Sequence, residues 1–427
     1  MSHLEPLDID FDRSLEAQPL SFSAASMMVL WGLLSVGVVT FCIGIFVLEP
    51  ARFWAAYYVN VLFWMGLAVG SVMIAVITQI VGAEWVVPVR RVAEAAIWFL
   101  PYGLILLLLS WFGKDHIFPW GAHDMPGREW WMQPGFVYTR YAIGLGVLFF
   151  LLARYVHMSL RRDVGLLRER EKTDYWKARK YDGLCSDWKG EAHDLPKLEQ
   201  RLGINAPILV ILYVFIYSLF SFDMLMSMDT IWFSNLFGAF NFVGNIYIAW
   251  AGLSLMVLYL RRDNPDYRRA AAGQQFHDLG KLTLGFGIIW AYFFFSQFLP
   301  QWYGNMPEET QWLILRTREE PWKTLSWVTF GMAWVTPFIL LLSKDLKKTP
   351  PAYACACVIA LLGVWLERYV VVMPQVSPNA IPLGFFELGL FLGFAAAYVL
   401  SVKLFLTKYP LIPVDHPSLY SPCGARS

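Results

Sequence analysis

Charge is the property that this sequence most lacks. Charged residues make up 16% of its 427 positions, whereas a soluble domain ordinarily carries about 25%. The deficit is concentrated in long apolar blocks, and the mean hydropathy is +0.47. The net charge of +1 provides no overall attraction to nucleic acid. The composition therefore favours an integral membrane protein and gives no reason to expect nucleic acid as a partner.

Residues that hold metals and cofactors are also scarce. The five cysteines are scattered, and none stands in a C-x-x-C pair: Cys42, Cys185, Cys355, Cys357 and Cys423. Neither a disulfide framework nor an iron–sulfur site follows from them. Of the seven histidines, only His157 and His277 touch apolar blocks, both at block ends, whereas bis-histidine haem requires imidazoles facing each other at membrane depth. Because Walker and G-x-G-x-x-G motifs are missing as well, we expect no haem, cluster or nucleotide site in this chain.

Long apolar runs are what the sequence has in abundance. A bilayer core about 30 Å thick is crossed by about 20 apolar residues in a helix. Ten stretches meet this length: 25–48, 57–81, 92–112, 137–158, 205–222, 232–260, 279–299, 324–343, 352–373 and 383–406. The runs are solidly apolar, whereas strands of a membrane barrel alternate. We therefore predict an all-α integral membrane protein of about ten transmembrane helices.

The basic residues predict the orientation of these helices. They accumulate after the even-numbered helices, in 161–201 and at Arg90, Arg91, Arg261, Arg262, Arg268, Arg269, Lys344, Lys347 and Lys348. By the positive-inside rule, these connections and both tails, 1–24 and 407–427, are cytoplasmic. The acidic N-terminus lacks a basic segment and a cleavage site. We expect helix 1 to be retained as an anchor in a bacterial inner membrane.

The connections predict an internal repeat. Helices 2 to 5 (57–222) and helices 6 to 9 (232–373) share an aromatic, glycine-rich start, a long outer loop and an acid near the outer end of the fourth helix, Asp223 or Glu367. An even number of helices per unit preserves direction, which indicates a parallel repeat. We therefore predict two four-helix bundles, with helices 25–48 and 383–406 flanking them.

Three connections are long enough to have a role of their own. The cytoplasmic loop 159–204 begins with a charged segment, 161–181, that predicts a helix at the membrane surface or a solvated connector. The outer loops 113–136 and 300–322 contain six tryptophans: Trp120, Trp130, Trp131, Trp302, Trp312 and Trp322. This content fits an interfacial belt and a surface for a protein partner equally well.

Ionisable residues inside apolar stretches are the candidate functional positions, since each costs roughly 2.5–3.5 kcal/mol on insertion scales. We predict a proton path built from Glu94, Asp223, Asp229, His277, Asp278, Lys281, Glu367 and Glu387. The alternative is structural anchoring. Asp278 and Lys281 have the spacing of a surface ion pair. Glu367 and Arg368 are adjacent, so we expect them to point to different helix faces and not to pair.

The sequence resembles a known family from the fifth helix onward. The segment Ser221–Gly238 is similar to the F-D-W-x-M-S-L-x-P-H-W-F-S-T-x-F-G signature of the ActF-type, NrfD-like membrane subunits of bacterial alternative complex III. The similarity continues in the C-terminal half through His277–Lys281, Trp290–Tyr292, Ser296–Gln297, Trp302–Thr310, Pro337–Ser343, Trp365–Tyr369 and Glu387–Gly393. The order and spacing of these segments carry the resemblance, while the N-terminal half matches in hydropathy only.

The resemblance implies a metal-free membrane subunit of a quinol:cytochrome c oxidoreductase. The implied partners are lipid, a second NrfD-like subunit, a periplasmic iron–sulfur subunit and cytochromes c. Haem c and iron–sulfur clusters would belong to those partners, with menaquinol or another quinol bound at or near this chain. The implied work is to anchor the periplasmic redox subunits and to offer a proton path. Met224 replaces the family's Trp, and Thr230-Ile231 replaces its Pro-His, which weighs against quinol oxidation here because a proton acceptor is lost.

Three other hypotheses fit the same pattern. In the first hypothesis the chain is the membrane anchor of another NrfD-type enzyme, such as a polysulfide or molybdenum oxidoreductase. A parallel repeat with helices broken near Asp223 and Asp229 also suits a secondary transporter. In the third hypothesis the chain is a scaffold with no chemical part.

Overall fold

The computed structural model describes residues 22–122, 127–169, 182–271 and 273–412. The predicted all-α architecture is confirmed: the described residues form helices and no strand. The predicted tails fall almost wholly outside the described residues, as do Cys423 and most of the predicted surface helix 161–181. Ten helices within the described ranges are long and apolar enough to cross a membrane, in agreement with the sequence-based count.

We number these helices α1 to α10 in chain order. They are α1 (Ala24–Val47), α2 (Pro50–Ile80), α3 (Glu84–Ile117), α4 (Pro134–Leu166), α5 (Glu191–Met228), α6 (Phe237–Arg262), α7 (Gln274–Gly304), α8 (Trp322–Leu342), α9 (Pro350–Val376) and α10 (Phe385–Lys408). Short helices lie between them, at Pro119–Ala122, Pro265–Ala270, Pro307–Thr317 and Lys344–Lys348.

The helix ends define two faces. Lys403 Nζ bonds Ser26 Oγ at 3.2 Å and Tyr259 Oη at 2.9 Å, so the start of α1 and the ends of α6 and α10 lie together. We call this the terminal face. On the other side, Arg52 at the start of α2 pairs with Glu387 at the start of α10. We call that side the loop face, because it carries the described connection residues 118–122, 127–133 and 305–321.

Two rings of four helices form the body of the molecule. In the first ring α2 contacts α3, α3 contacts α4, α4 contacts α5, and α5 returns to α2. In the second ring α6, α7, α8 and α9 contact one another in the same cyclic order. The rings join along α2 and α6, and α5 packs on α6 as α9 packs on α2. The helix neighbours therefore repeat after four helices, as the two-bundle prediction requires.

Paired side-chain contacts follow the same repeat. In one, Asn241 of α6 donates to Ser221 of α5 at 2.6 Å. In the other, Trp365 of α9 donates to Asn60 of α2 at 3.1 Å. Ser221 lies two residues before Asp223, and Trp365 lies two residues before Glu367. Each acid is on the fourth helix of its ring. These two acids therefore occupy equivalent places in the two rings.

The flanking helices lie side by side in space, although they are the first and last in sequence. α1 packs mainly on α10, and α10 packs on α2 and α3. Their backbones meet at Gly37 and Gly393, where a Cβ on Gly37 would lie 2.3 Å from the Gly393 Cα. Such an approach requires glycine on both helices. The flanking pair is therefore attached to the α2 and α3 side of the first ring.

Prolines lie inside three helices of the second ring, at Pro300 in α7 and at one position each in α8 and α9. Pro337 follows a π turn at Gly331–Val335 in α8, and Pro374 lies inside α9. A proline nitrogen carries no hydrogen, so it cannot donate a hydrogen bond to the carbonyl four residues earlier in the helix. The freed carbonyl of Ala333 accepts from Tyr247 Oη at 2.9 Å, and that of Val370 accepts from Arg316 Nε at 2.9 Å.

Two sequence-based boundaries differ from the structure. Arg90 and Arg91, predicted as connection residues, lie inside α3 and are buried, because α3 begins several residues before its apolar run. The loop 159–204 is also shorter than predicted. The α4 helix continues to Glu169 and α5 begins at Glu191, and Trp188 packs back onto Gly165.

Candidate functional site

Glu94 lies in a buried ion network near the terminal face of the first ring. Its carboxylate accepts from Arg90 Nε at 3.0 Å and from Ser159 Oγ at 2.6 Å, and it also bonds Arg91. Arg91 continues to Asp163 of α4. Every ionised group of this network has a partner, so Glu94 ties α3 to α4.

Asp223 lies in a similarly filled cluster near the loop face. It accepts from Arg140 Nη2 at 2.7 Å, from Trp131 Nε1 at 3.1 Å, and from the Tyr141 hydroxyl. The Arg140 guanidinium also lies over the Trp131 ring, 4.0 Å from its centroid. Both carboxylate oxygens are thus engaged by neighbouring groups.

Asp229 and Glu387 fix loop-face connections. Asp229 Oδ1 accepts from the amides of Ile231 and Trp232, and its Oδ2 accepts from Gln375 Nε2 at 3.0 Å. Glu387 is 1% exposed and receives two hydrogen bonds from Arg52, at 2.9 and 3.1 Å. These carboxylates join α2 to α10, and the α5–α6 connection to α9.

His277, Asp278 and Lys281 lie together at the start of α7, on the terminal face. The predicted pair is present: Lys281 Nζ lies 3.1 Å from Asp278 Oδ1. Gln274 Nε2 donates to the other oxygen of Asp278 at 3.1 Å. Within the second ring they lie on the terminal face, whereas Glu367 lies toward the loop face.

Glu367 pairs with Arg368, and the expectation that these neighbours point apart is wrong. Arg368 Nη1 lies 3.0 Å from Glu367 Oε2 and 3.3 Å from Oε1. Both side chains are buried, and the guanidinium reaches Asn245 Oδ1 and the Asn241 carbonyl. Long side chains on adjacent residues can turn back toward each other where an apolar interior offers either one few other partners.

Glu367 also lines a cavity in the loop-face half of the second ring. The cavity has a volume of about 250 Å³ and lies between α6, α7, α8, α9 and the helix Pro307–Thr317. Its walls are mainly aromatic: Trp232, Phe240, Trp290, Phe294, Trp312 and Phe330. Trp232 and Trp312 stack with ring centroids 4.1 Å apart. Phe295 and Trp327, which line it too, are more than half exposed on the lateral surface of α7 and α8.

Several buried polar atoms of the cavity lining lack a hydrogen-bond partner among the described residues. They are Trp232 Nε1, Trp290 Nε1, Ser326 Oγ and Thr329 Oγ1. A buried polar group without a partner costs about 1–3 kcal/mol, and such groups are rare in native structures. Their convergence on one cavity indicates a place for a molecule that has polar atoms and an apolar body.

Arg316 closes one side of the cavity. Its guanidinium donates to the carbonyls of Val370, Val371 and Trp312, and lies 3.9 Å from the centroid of the Trp312 ring. Burial lowers the pKa of Arg316 to about 9. Because its donors are taken by backbone oxygens, Arg316 shapes the wall of the cavity and supports α9 at Pro374.

The two rings differ at their equivalent acids. In the first ring, Arg140, Tyr141 and Trp131 fill the space around Asp223. In the second ring, the space beside Glu367 is the aromatic cavity, and the arginine partner comes from the same helix. Equivalent places thus carry a closed cluster and an open cavity, which singles out the second ring as the candidate site.

The tryptophans of the outer loops mostly face inward. Trp120 and Trp322 are buried, and Trp120 Nε1 donates to Ser227 Oγ at 2.8 Å. Trp131 belongs to the Asp223 cluster and Trp312 to the cavity. Trp130 and Trp302 are exposed, at 69% and 58%. Most of these tryptophans therefore pack inside the protein and do not form its outer surface.

The sequence pattern did not mark Arg316, Ser326 or Thr329 as site residues. Hydroxyls in helices usually bond the carbonyl one turn back, so nothing in the sequence marks Thr329 as unpartnered. For Arg316 a signal existed, since a loop arginine close to a helix with an internal proline offers donors for a freed carbonyl. The described residues contain no group of three or more His, Cys, Asp or Glu side chains placed to hold a metal ion. No family model and no curated protein matches this chain.

Proposed function

We propose that this chain is the membrane subunit of a respiratory quinol:cytochrome c oxidoreductase of the alternative complex III type, and that its second ring binds the quinol head group. One observation carries the proposal: Glu367 lines the aromatic cavity and also forms a buried ion pair with Arg368. The sequence resemblance in the C-terminal half, which contains this ring, supports the same function.

The cavity suits a planar, lipid-soluble head group. Its volume of about 250 Å³ is near the lower end of ligand pockets, which begin at about 300 Å³, so it would take a ring system and leave an isoprenoid tail outside. Aromatic walls stack on such a ring, and the hydroxyls of Ser326 and Thr329 are available for its oxygens. Phe295 and Trp327 are exposed on the lateral surface, which supports an entrance where a molecule dissolved in lipid arrives.

Glu367 is the proton acceptor in this proposal. A quinol releases two electrons and two protons when it is oxidised, and Glu367 takes the protons one at a time, releasing the first before it accepts the second. Glu367 Oε2 lies 3.0 Å from Arg368 Nη1 in the ion pair but accepts no hydrogen bond among the described residues, so it can still accept one from a donor in the cavity. Arg368 continues from Glu367 to Asn241 and Asn245 at the junction of the two rings, so polar groups lead from the cavity into the protein.

The other predicted acids have an anchoring part in this proposal. Asp223 and Glu387 are held in ion pairs that join helices, and Glu94 pairs with Arg90 within α3 and accepts a hydrogen bond from Ser159 of α4. The loop face is periplasmic by the distribution of lysine and arginine, and it holds the iron–sulfur and cytochrome c subunits. The electrons pass to those subunits, and a second NrfD-like subunit lies beside this chain in the bacterial inner membrane.

Thr329 provides a matched test of the head-group site. Thr329→Val removes a hydroxyl that has no partner among the described residues, so we expect unchanged or higher thermal stability. We also expect about fivefold weaker binding of a short-tailed naphthoquinone, because a lost hydrogen bond is worth about 1 kcal/mol. The control is Thr317→Val, since Thr317 also lines the cavity but already donates to Leu313 at 2.7 Å. It should lower stability and leave affinity unchanged. Binding is measured by calorimetry on the detergent-solubilised chain.

Glu367→Gln tests the proton step in the native complex. The amide keeps the shape of the carboxylate but accepts no proton, so quinol oxidation should fall at least tenfold while naphthoquinone binding persists. Glu308→Gln, an exposed position on the loop face, is the control. Equal rates in both variants would remove Glu367 from the mechanism. A chain that purifies without haem-containing partners and transports a solute would instead favour the transporter hypothesis.

A further inference from the structure

A group of basic residues on the terminal face lies apart from the cavity. His277 and Lys281 belong to the first turns of α7, and Lys344 and Lys347 belong to the short helix Lys344–Lys348 between α8 and α9. We call these four residues the lysine cluster. The short helix packs on α7, and the stem of Lys347 fills the space over Gly280, where a Cβ would lie 2.6 Å from Lys347 Cδ.

Positive charge in the lysine cluster is only partly balanced. Asp278 faces it but is shared between Lys281 and Gln274, at 3.1 Å from each. Asp345 is exposed on the short helix. Lys347 is 6% exposed and makes no ion pair with any residue of the described ranges. Burial, followed by repulsion from Lys281, lowers the pKa of Lys347, so an anion beside it would be stabilised.

Nitrogen atoms without hydrogen-bond partners also indicate an anion site at the lysine cluster. His277 Nδ1 is buried and has no hydrogen-bond partner among the described residues. Nearby, the Arg261 guanidinium lies 4.4 Å from the centroid of the Phe276 ring, and its Nε is also buried without a partner. Ammonium, imidazole and guanidinium groups together form a donor set for an anion with several oxygens, and a phosphate is such an anion.

We propose that the lysine cluster binds the phosphate of an anionic phospholipid. The cluster lies where α7 begins, α8 ends and α9 begins, at the depth of lipid head groups if these helices span the membrane. The lateral surface beside it is apolar, with Ile339 and Leu342 of α8 61% and 57% exposed, and acyl chains can lie against it. Basic pockets at the ends of membrane helices are common sites for anionic lipid. A free phosphate would use the same donors without this apolar surface.

Thermal unfolding of the full chain in uncharged detergent tests the proposal, because a ligand that binds the folded state raises its midpoint. Phosphatidylglycerol should raise the midpoint in a saturable way, whereas phosphatidylcholine and inorganic phosphate should not. The double variant Lys281→Gln/Lys344→Gln changes two exposed side chains and should raise the phosphatidylglycerol concentration needed for a half-maximal response about 25-fold, at about fivefold per lysine.

Lys323→Gln is the matched control, since Lys323 is an exposed lysine on the loop face near Glu320, and it should respond as the original chain does. Lys347→Met keeps the apolar stem over Gly280 and removes the buried charge, so it should fold and bind less phosphatidylglycerol. Equal midpoints with phosphatidylglycerol and phosphatidylcholine, or an undiminished response in the double variant, would overturn the proposal. A shift produced by inorganic phosphate alone would overturn the assignment to lipid.

Discussion

At the scale of single residues, burial decides what each acid does. Asp223 and Glu367 occupy equivalent places on the fourth helices of their rings, yet Asp223 is surrounded by donors while Glu367 has one arginine and an aromatic cavity. A charge buried with its partners is a structural element, and removing one partner leaves the other uncompensated. The same residue type therefore anchors one ring and is available for chemistry in the other.

Asp223→Asn should destabilise the first ring strongly. The change leaves the Arg140 guanidinium, whose side chain is 15% exposed, without its carboxylate, and breaking a buried pair costs about 3–5 kcal/mol. The measurement is the free energy of unfolding in mixed micelles. Asp115→Asn, which alters a pair whose acid is 52% exposed, should cost about 0–1 kcal/mol. The double change Asp223→Asn/Arg140→Met should recover part of the loss, and a loss as small as that of Asp115→Asn would contradict the assignment.

Single residues also mark the limit of inference from sequence. The basic character of Arg90 and Arg91 was visible, but their burial was not, because a carboxylate on another turn and an acid on α4 neutralise them. The Glu367–Arg368 pair was missed because residue spacing describes helix faces and not the reach of long side chains. Thr329 carries no sequence signal at all, since its unpartnered state arises from how α8 meets the cavity.

At the scale of helices, apolar length predicted all ten spans. Length and hydropathy are properties of one segment, so they can be recognised without knowing its neighbours. The interruptions of α8 and α9 were less accessible. Their prolines are visible, but the groups that satisfy the freed carbonyls, Tyr247 and Arg316, come from other elements.

Arg316 and Pro374 should be energetically coupled. Arg316→Met leaves the Val370 and Val371 carbonyls without their donor, and we expect a loss of about 1–3 kcal/mol for each buried carbonyl. In a Pro374→Ala background, the new amide can donate to Val370, so the same Arg316→Met change should cost about 1–2 kcal/mol less. A double-mutant cycle on the free energy of unfolding measures the difference.

Arg316→Met also removes the contact of Arg316 with Trp312. This loss is the same with Pro374 and with Pro374→Ala, so it cancels from the coupling energy. Arg318→Met serves as the control, because Arg318 is exposed in the same connection and should show no coupling to Pro374. Additive effects of Arg316→Met and Pro374→Ala would show that the carbonyl contacts do not support α9.

At the scale of the whole molecule, two rings and a flanking pair share one core. The repeat of four helices was visible in the connections of the sequence, and the helix neighbours follow it. What the sequence did not show is that α1 and α10 lie together, because the two segments are about as far apart along the chain as possible. Their association depends on glycines facing each other, a feature that appears only when both helices are placed.

Gly37→Ala should loosen the flanking pair. Its Cβ would lie 2.3 Å from the Gly393 Cα, so α1 and α10 must separate, and we expect a loss of about 1–3 kcal/mol from overpacking. Gly32→Ala lies on the same helix with nothing within 4 Å and should be neutral or slightly stabilising. Thermal unfolding and the rate of proteolysis at the α1–α2 connection, compared between the two variants, check this. Equal behaviour would mean that the crossing does not hold α1.

The junction of the two rings has a mechanical consequence. Gly66 and Gly70 of α2 admit Asn245 of α6 so closely that an added Cβ at either glycine would lie 2.3 Å from it. Surfaces that interlock at backbone distance do not slide continuously, since packed interfaces move only between discrete arrangements. The rings therefore behave as one stiff block. A displacement of one ring at the loop face moves the other ring with it.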